Sequence, residues 1–111
     1  MKIAIIGSRK CPEIDIGAYL EETPDALVSG GAVGVDSYVR DYAKKNGIKL
    51  IEYYPNYAKY GKAAPLERNK QIVDKCDYLI AFWDGNSRGT KFTIEYASKQ
   101  NKQMRIIRFK L

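Results

Sequence analysis

Short apolar runs alternate with amphipathic stretches along the whole chain. Lys2–Ile6 is an apolar run that ends at Gly7, and the pattern predicts a first strand there. Glu13–Glu22 predicts a modest helix, with Pro12 suited to its first turn. Ala26–Ser29 predicts a short strand that stops at Gly30-Gly31. From Val35 the helical period is clear. Val35, Tyr38, Val39, Tyr42 and Ala43 fall on one face, and Asn46-Gly47 closes the helix. Ile48–Tyr53 predicts a third strand. A long connection, Tyr54–Pro65, leads to a helix over Leu66–Lys75, a strand over Asp77–Phe82, a helix over Thr90–Asn101 and a last strand over Met104–Phe109.

Strands that alternate with helices in one small domain predict an α/β fold with a parallel sheet covered on both faces. Right-handed crossovers leave a Rossmann-like, three-layer α/β/α arrangement with five parallel strands in the order 3-2-1-4-5. In that order the winding reverses between the first and fourth strands. Ligands of such sheets bind at the carboxyl ends of the strands at the reversal. No repeat, low-complexity segment or linker interrupts the pattern, so residues 1–111 read as one domain.

Three loops should meet at that edge. The first strand runs into Gly7-Ser8-Arg9. The second runs into Ser29-Gly30-Gly31-Ala32-Val33-Gly34-Val35-Asp36. The fourth runs into Trp83-Asp84-Gly85-Asn86-Ser87-Arg88-Gly89-Thr90. Ser8 is suited to hydrogen-bond a phosphate and Arg9 to pair with it. The glycines let a ligand approach the backbone closely. A helix opening at Gly89-Thr90 aims its free N–H groups and dipole at an anion. Each loop also has a plain reading as a βα turn. Gly30-Gly31-x-x-Gly34 is neither a Walker A loop nor a full G-x-G-x-x-G fingerprint. Asp36 is either a dipole partner for its helix or a contact to a ribose hydroxyl or base. Trp83, the only Trp, either caps the core or stacks on a base. Asp84 either binds a hydroxyl or makes turn chemistry with Gly85. Tyr53, Tyr54, Tyr57 and Tyr60 read as packing or a subunit interface before a nucleic-acid platform.

Composition removes several chemistries. The 111 residues contain no His, which excludes the usual catalytic triads and most transition-metal sites. Two cysteines, Cys11 and Cys76, have no metal-ligand spacing and read as free thiols. The expectation is a cytoplasmic protein of bacterial or phage type, since no apolar run is long enough to cross a bilayer. The net charge of +6 is uneven: residues 56–111 carry 12 Lys/Arg against 5 Asp/Glu, and residues 1–55 carry 7 against 8. A basic half suggests either an anionic partner or a solvated basic face.

"GSR" after the first strand, "VSGGAVGVD", "YGKAAPLERN" and "DYLIAFWDGNSRGT" before a helix together resemble the SLOG superfamily (Smf/DprA–LOG), and within it the small YspA-like proteins. The resemblance runs over nearly the whole chain. It implies a Rossmann-like domain and a nucleotide or nucleotide-derived ligand, an adenine nucleotide or an ADP-ribose- or NAD-related molecule. Relatives of this superfamily include the LONELY GUY phosphoribohydrolases and the DNA-processing protein DprA. The hydrolases carry Arg-Lys before the fourth strand and P-G-G-x-G-T-x-x-E after it. Arg68, followed by Asn69, is similar to that catalytic arginine, and Gly89-Thr90 matches the Gly-Thr. The motif's Glu falls on Thr93. The nearest acid, Glu95, lies two positions on, a rotation of about 200° on a helix.

The expected function is therefore binding of a nucleotide, as a sensing, carrier or sequestering module, without the family's hydrolysis. The expected ligand-binding residues are Gly7, Ser8, Arg9, Ser29, Gly30, Gly31, Gly34, Val35, Asp36, Arg68, Asn69, Trp83, Asp84, Gly85, Ser87, Gly89, Thr90 and Thr93. No metal or cofactor is required, and a homo-oligomer is expected. The alternatives are a nucleoside-monophosphate phosphoribohydrolase using Arg68, and a single-stranded nucleic-acid-binding protein as in DprA.

Overall fold

The computed structural model describes residues 1–110. The described residues form five parallel strands: β1 (Lys2–Gly7), β2 (Ala26–Ser29), β3 (Lys49–Glu52), β4 (Tyr78–Trp83) and β5 (Gln103–Arg108). Their order is β3-β2-β1-β4-β5, as the sequence pattern predicts. β1 lies at the centre of the reversal, with Ala4 opposite Val28 on one side and Leu79 on the other.

Side chains alternate between two cores. Ile3, Ile5, Leu27, Ile80 and Phe82 face one side and pack with Val35, Val39 and Ala43 of helix α1 (Val35–Lys45). Ala4, Ile6, Val28, Leu79 and Ala81 face the other. There they meet Ile72 and Val73 of α3 (Ala64–Lys75) and Ala97 of α4 (Arg88–Lys99). This period-2 split explains why β1 and β4 are continuous apolar runs: both faces are covered. Cys11 and Cys76 are buried free thiols whose pKa values burial pushes up.

Four expectations are corrected. The predicted helix over Glu13–Glu22 is only a 3-10 turn, Ile16–Tyr19. Asp15 spends its side chain on the Gly17 N–H, and the chain is extended again at Leu20. Asp and Gly at these positions favour such local bonding over a continuous helix. The connection Tyr54–Pro65 is not open loop. It holds a short helix, α2 (Tyr57–Tyr60), capped by the Asn56 side chain on the Lys59 N–H, and a 3-10 turn at Gly61–Ala63. α3 then starts at Ala64, two residues before the predicted start, with Pro65 in its first turn. α4 starts at Arg88 rather than Thr90, because Ser87 is its N-cap and accepts from the Thr90 N–H. Among the described residues no helix is long and apolar enough to cross a membrane.

Candidate functional site

The carboxyl ends of β1, β2 and β4 converge on one cleft of about 570 Å³, lined also by the start of α3 and the first turns of α4. That volume lies in the range of small-molecule sites. The β1 loop is tied to β4 by the Ser8 N–H, which donates to the Phe82 carbonyl at 3.1 Å. It is tied to the β2 loop by contact with Gly34. This residue sits at φ 75°, and a Cβ there would lie 2.7 Å from the Arg9 carbonyl oxygen. Only glycine accepts both that conformation and that approach.

Asp36 braces the β2 loop from within. Its Oδ1 accepts from the Ser29 hydroxyl and its Oδ2 from the Ala32 N–H, both at 3.0 Å. The carboxylate faces the cleft, but its hydrogen bonds are made to its own loop. Arg68 enters from α3. Its Nη1 donates to the Gly30 carbonyl at 2.7 Å and its Nε to Asn69 Oδ1 at 2.8 Å. Only 9% of Arg68 is exposed, and among the described residues it makes no salt bridge. Burial lowers its pKa. Asp36 opposes that shift through space, and Arg9 adds to it. The guanidinium still carries its charge at neutral pH, so the cleft holds a fixed cation without an ion-pair partner.

Ser8 adds a second unmet demand. It is 4% exposed, and its Oγ is buried without a hydrogen-bond partner. Such a group costs stability unless something fills its place. Near it, Asp84 Oδ1 accepts from the N–H groups of Asn86 and Ser87, both at 2.8 Å. Those bonds, Ser87's first, hold the Asp84 pKa below the usual carboxylate value. The Ser8 hydroxyl adds to this by proximity, short of hydrogen-bond geometry. Gly89 and Thr90 bring the amino end of the 12-residue helix α4 to the same wall, with no acidic residue in its first turn.

Of the residues singled out from sequence, Gly7, Ser8, Arg9, Gly30, Asp36, Arg68, Asn69, Asp84, Ser87, Gly89, Thr90 and Thr93 line the cleft. Ser29, Gly31, Gly34, Val35, Trp83 and Gly85 lie outside its lining. Ser29 bonds to Asp36, Gly31 packs under the Tyr54 ring and Val35 is in the core. Trp83 donates from its indole N–H to the Ser87 carbonyl at 3.1 Å and lies under the Arg108 guanidinium, 5.2 Å from its ring centre. Gly85 packs against the same guanidinium. Trp83 is thus a strut of the β4–α4 loop. Lys10, Ala32, Val33, Pro65, Leu66 and Asn86 line the cleft without having been singled out. Pro65-Leu66 falls within the quoted "YGKAAPLERN" motif, and its place at the opening turn of α3 was the available signal.

Thr93 occupies the position where the hydrolase motif has its acid. It is 1% exposed and donates from Oγ1 to the Gly89 carbonyl at 2.8 Å. Glu95 is exposed and is not part of the cleft. The carboxylates that line the cleft are Asp36 and Asp84. A second, smaller recess of about 470 Å³ shares Asp84 and Asn86 with it and is lined further by Arg108, Phe109 and Lys110. Asp84 and Asn86 form the ridge between the two.

No protein-family model matches the chain, and neither does any curated protein sequence. Among solved structures it is similar to the X-ray structure of DNA processing protein A (DprA) from Streptococcus pneumoniae. The TM-score is 0.74 at 23% identity, covering 99% of this chain and 51% of that one. The chain spans about half the length of that protein. The likeness establishes that this chain has the Rossmann-like fold seen in DNA processing protein A.

Proposed function

We propose that the cleft binds a nucleotide or nucleotide-derived ligand and does not hydrolyse it. Its phosphate would lie against Ser8, Arg9, Arg68 and the first turn of α4. The observation that carries this reading is the pairing of a buried, unpartnered Ser8 Oγ with a buried Arg68 that makes no salt bridge among the described residues, both on one cleft. A bound phosphate would satisfy both groups at once, by a charge-assisted bond to each. The chain then serves as a sensing, carrier or sequestering module. Placement within the YspA-like branch rests on the sequence motifs alone.

Two features argue against N-glycosidic cleavage in the manner of the related hydrolases, and the base-release assay below tests whether Asp84 could serve instead. Thr93 stands where the related hydrolases have a Glu, and Asp36 is committed to Ser29 and Ala32. Such cleavage needs a carboxylate to stabilise the oxocarbenium-like centre or activate water. The test is incubation with AMP, ADP and ADP-ribose, followed by thermal melting and by chromatography for free base. The expected result is a raised Tm with no release of base. Release of adenine would transfer the reading to a phosphoribohydrolase using Arg68.

A second reading is favoured by the fold shared with DNA processing protein A and by the basic half of the chain. It is binding of single-stranded nucleic acid across the same edge. It requires affinity that falls steeply with salt, in proportion to the phosphates neutralised. A gel shift with an oligonucleotide at two salt concentrations separates it from the first.

A further inference from the structure

The cleft is not uniformly suited to anions. Beside Ser8, Asp84 presents a carboxylate whose Oδ1 is used by two backbone N–H groups and whose Oδ2 has no hydrogen bond or ion pair among the described residues. A carboxylate accepts hydrogen bonds and donates none. A phosphate placed against it would meet like-charge repulsion. The group therefore calls for a hydrogen-bond donor on a ligand whose anionic part lies off the carboxylate, toward Arg9 and Arg68.

The place of Asp84 narrows the choice. With Asn86 it forms the ridge between the main cleft and the recess holding Arg108, Phe109 and Lys110. In any nucleotide the sugar lies between phosphate and base. With the phosphate at Arg68, the part that crosses the ridge is the sugar, and its donors are hydroxyls. Beyond the ridge, the Arg108 guanidinium lies over the Trp83 ring, 5.2 Å from its centre, and Phe109 lines the same recess. Planar cationic and aromatic groups of this kind stack on bases.

We infer that Asp84 reads the sugar. Its free oxygen accepts the vicinal hydroxyls of a ribose lying across the Asp84–Asn86 ridge, which selects ribonucleotides over nucleotides lacking those hydroxyls. This rests on the nucleotide reading of the cleft and adds the ligand's orientation and sugar class. It also makes the cleft a poor seat for single-stranded DNA, which has a phosphodiester in place of the 3′-hydroxyl and lacks the 2′-hydroxyl.

The test is calorimetric titration of the full chain with AMP and with 2′,3′-dideoxyadenosine 5′-monophosphate, repeated on Asp84→Asn. The substituted amide oxygen can still accept from Asn86 and Ser87, and Trp83 fluorescence reports whether the loop keeps its form. The native chain is expected to prefer AMP by about 10-fold or more, the range of a hydrogen bond to a charged group. Asp84→Asn is expected to weaken AMP alone and bring the two ligands within about 2-fold of each other. Equal affinities in the native chain would overturn the inference, as would a variant that weakens both ligands alike. If the native chain discriminates but Asp84→Asn disturbs the loop, the discrimination itself carries the result. If neither ligand binds, the nucleotide reading of the cleft fails, and the assignment of Asp84 fails with it.

Discussion

Arg68 donates from Nη1 to the Gly30 carbonyl oxygen at 2.7 Å, which fixes a side chain from α3 on the carboxyl end of β2. The contact joins residues 38 positions apart and holds a buried cation on the cleft. It is at once a structural tie and a buried positive charge on the cleft, so substitutions there should affect both stability and ligand affinity.

Arg68→Ala leaves the Gly30 carbonyl without this donor and removes the cation. Loss of one buried partner costs about 1–3 kcal/mol, to be read from denaturant unfolding. Affinity for AMP should fall by about 10–100-fold. Arg68→Lys keeps the charge but cannot reproduce the fork to Gly30 and Asn69, and should recover only part of the affinity.

Gly30→Ala tests the same contact from the other side. An added Cβ would lie 2.8 Å from Arg68 Nη1 and 3.0 Å from Asp36 Oδ2. The methyl group must push the guanidinium off the β2 loop. Ligand affinity should fall while the far-UV spectrum stays unchanged, since the five strands are not touched.

Ser87→Ala removes the cap of α4, whose Oγ accepts from the Thr90 N–H and donates to Thr90 Oγ1. The expected loss is about 0.5–2 kcal/mol, seen as a lower Tm. The freed Thr90 N–H becomes available to an anion at the same turn, so phosphate binding should be kept or strengthened while stability falls.

The pH dependence has two limbs. Asp84 has a lowered pKa, caused first by the Ser87 N–H and then by the Asn86 N–H. Its contribution is present above the unfolded value near 3.8 and is lost as pH falls through its lower folded value. The amino terminus of Met1 has a raised pKa, because it bonds to Asp25 at 2.7 Å. Its contribution is present below the unfolded value of 8.0 and is lost as pH rises through the higher folded value. Both groups are exposed, so both effects should shrink with salt. Asp84→Asn should reduce the acid limb, to which Asp25 also contributes, and Asp25→Asn should reduce both limbs, measured by Tm across pH.

Much of this was legible in the sequence, for a physical reason. β1 and β4 are buried on both faces, so they appear as apolar runs, and glycine-bearing loops mark their ends. The strand order and the meeting of three loops follow from such runs. The turn at Ile16–Tyr19 was not legible, because the apolar spacing of residues 13–22 looks helical while Asp15 and Gly17 bond locally. The role of Trp83 was hidden for another reason. Its partner Arg108 is remote in sequence, and only the pairing of β4 with β5 brings Trp83 opposite it. Asp36 looked like a ligand contact, and its bonds to Ser29 and Ala32 appear only once the loop is folded.

The most direct test of the central claim is calorimetric titration of AMP into the native chain and into Ser8→Ala. This change deletes the buried hydroxyl that has no partner in the protein. If a nucleotide phosphate is its partner, the native chain binds AMP and the variant binds it about 10-fold more weakly, with unfolding stability unchanged or improved. If the native chain does not bind AMP, or if both chains bind it equally, the cleft is not the nucleotide site described here.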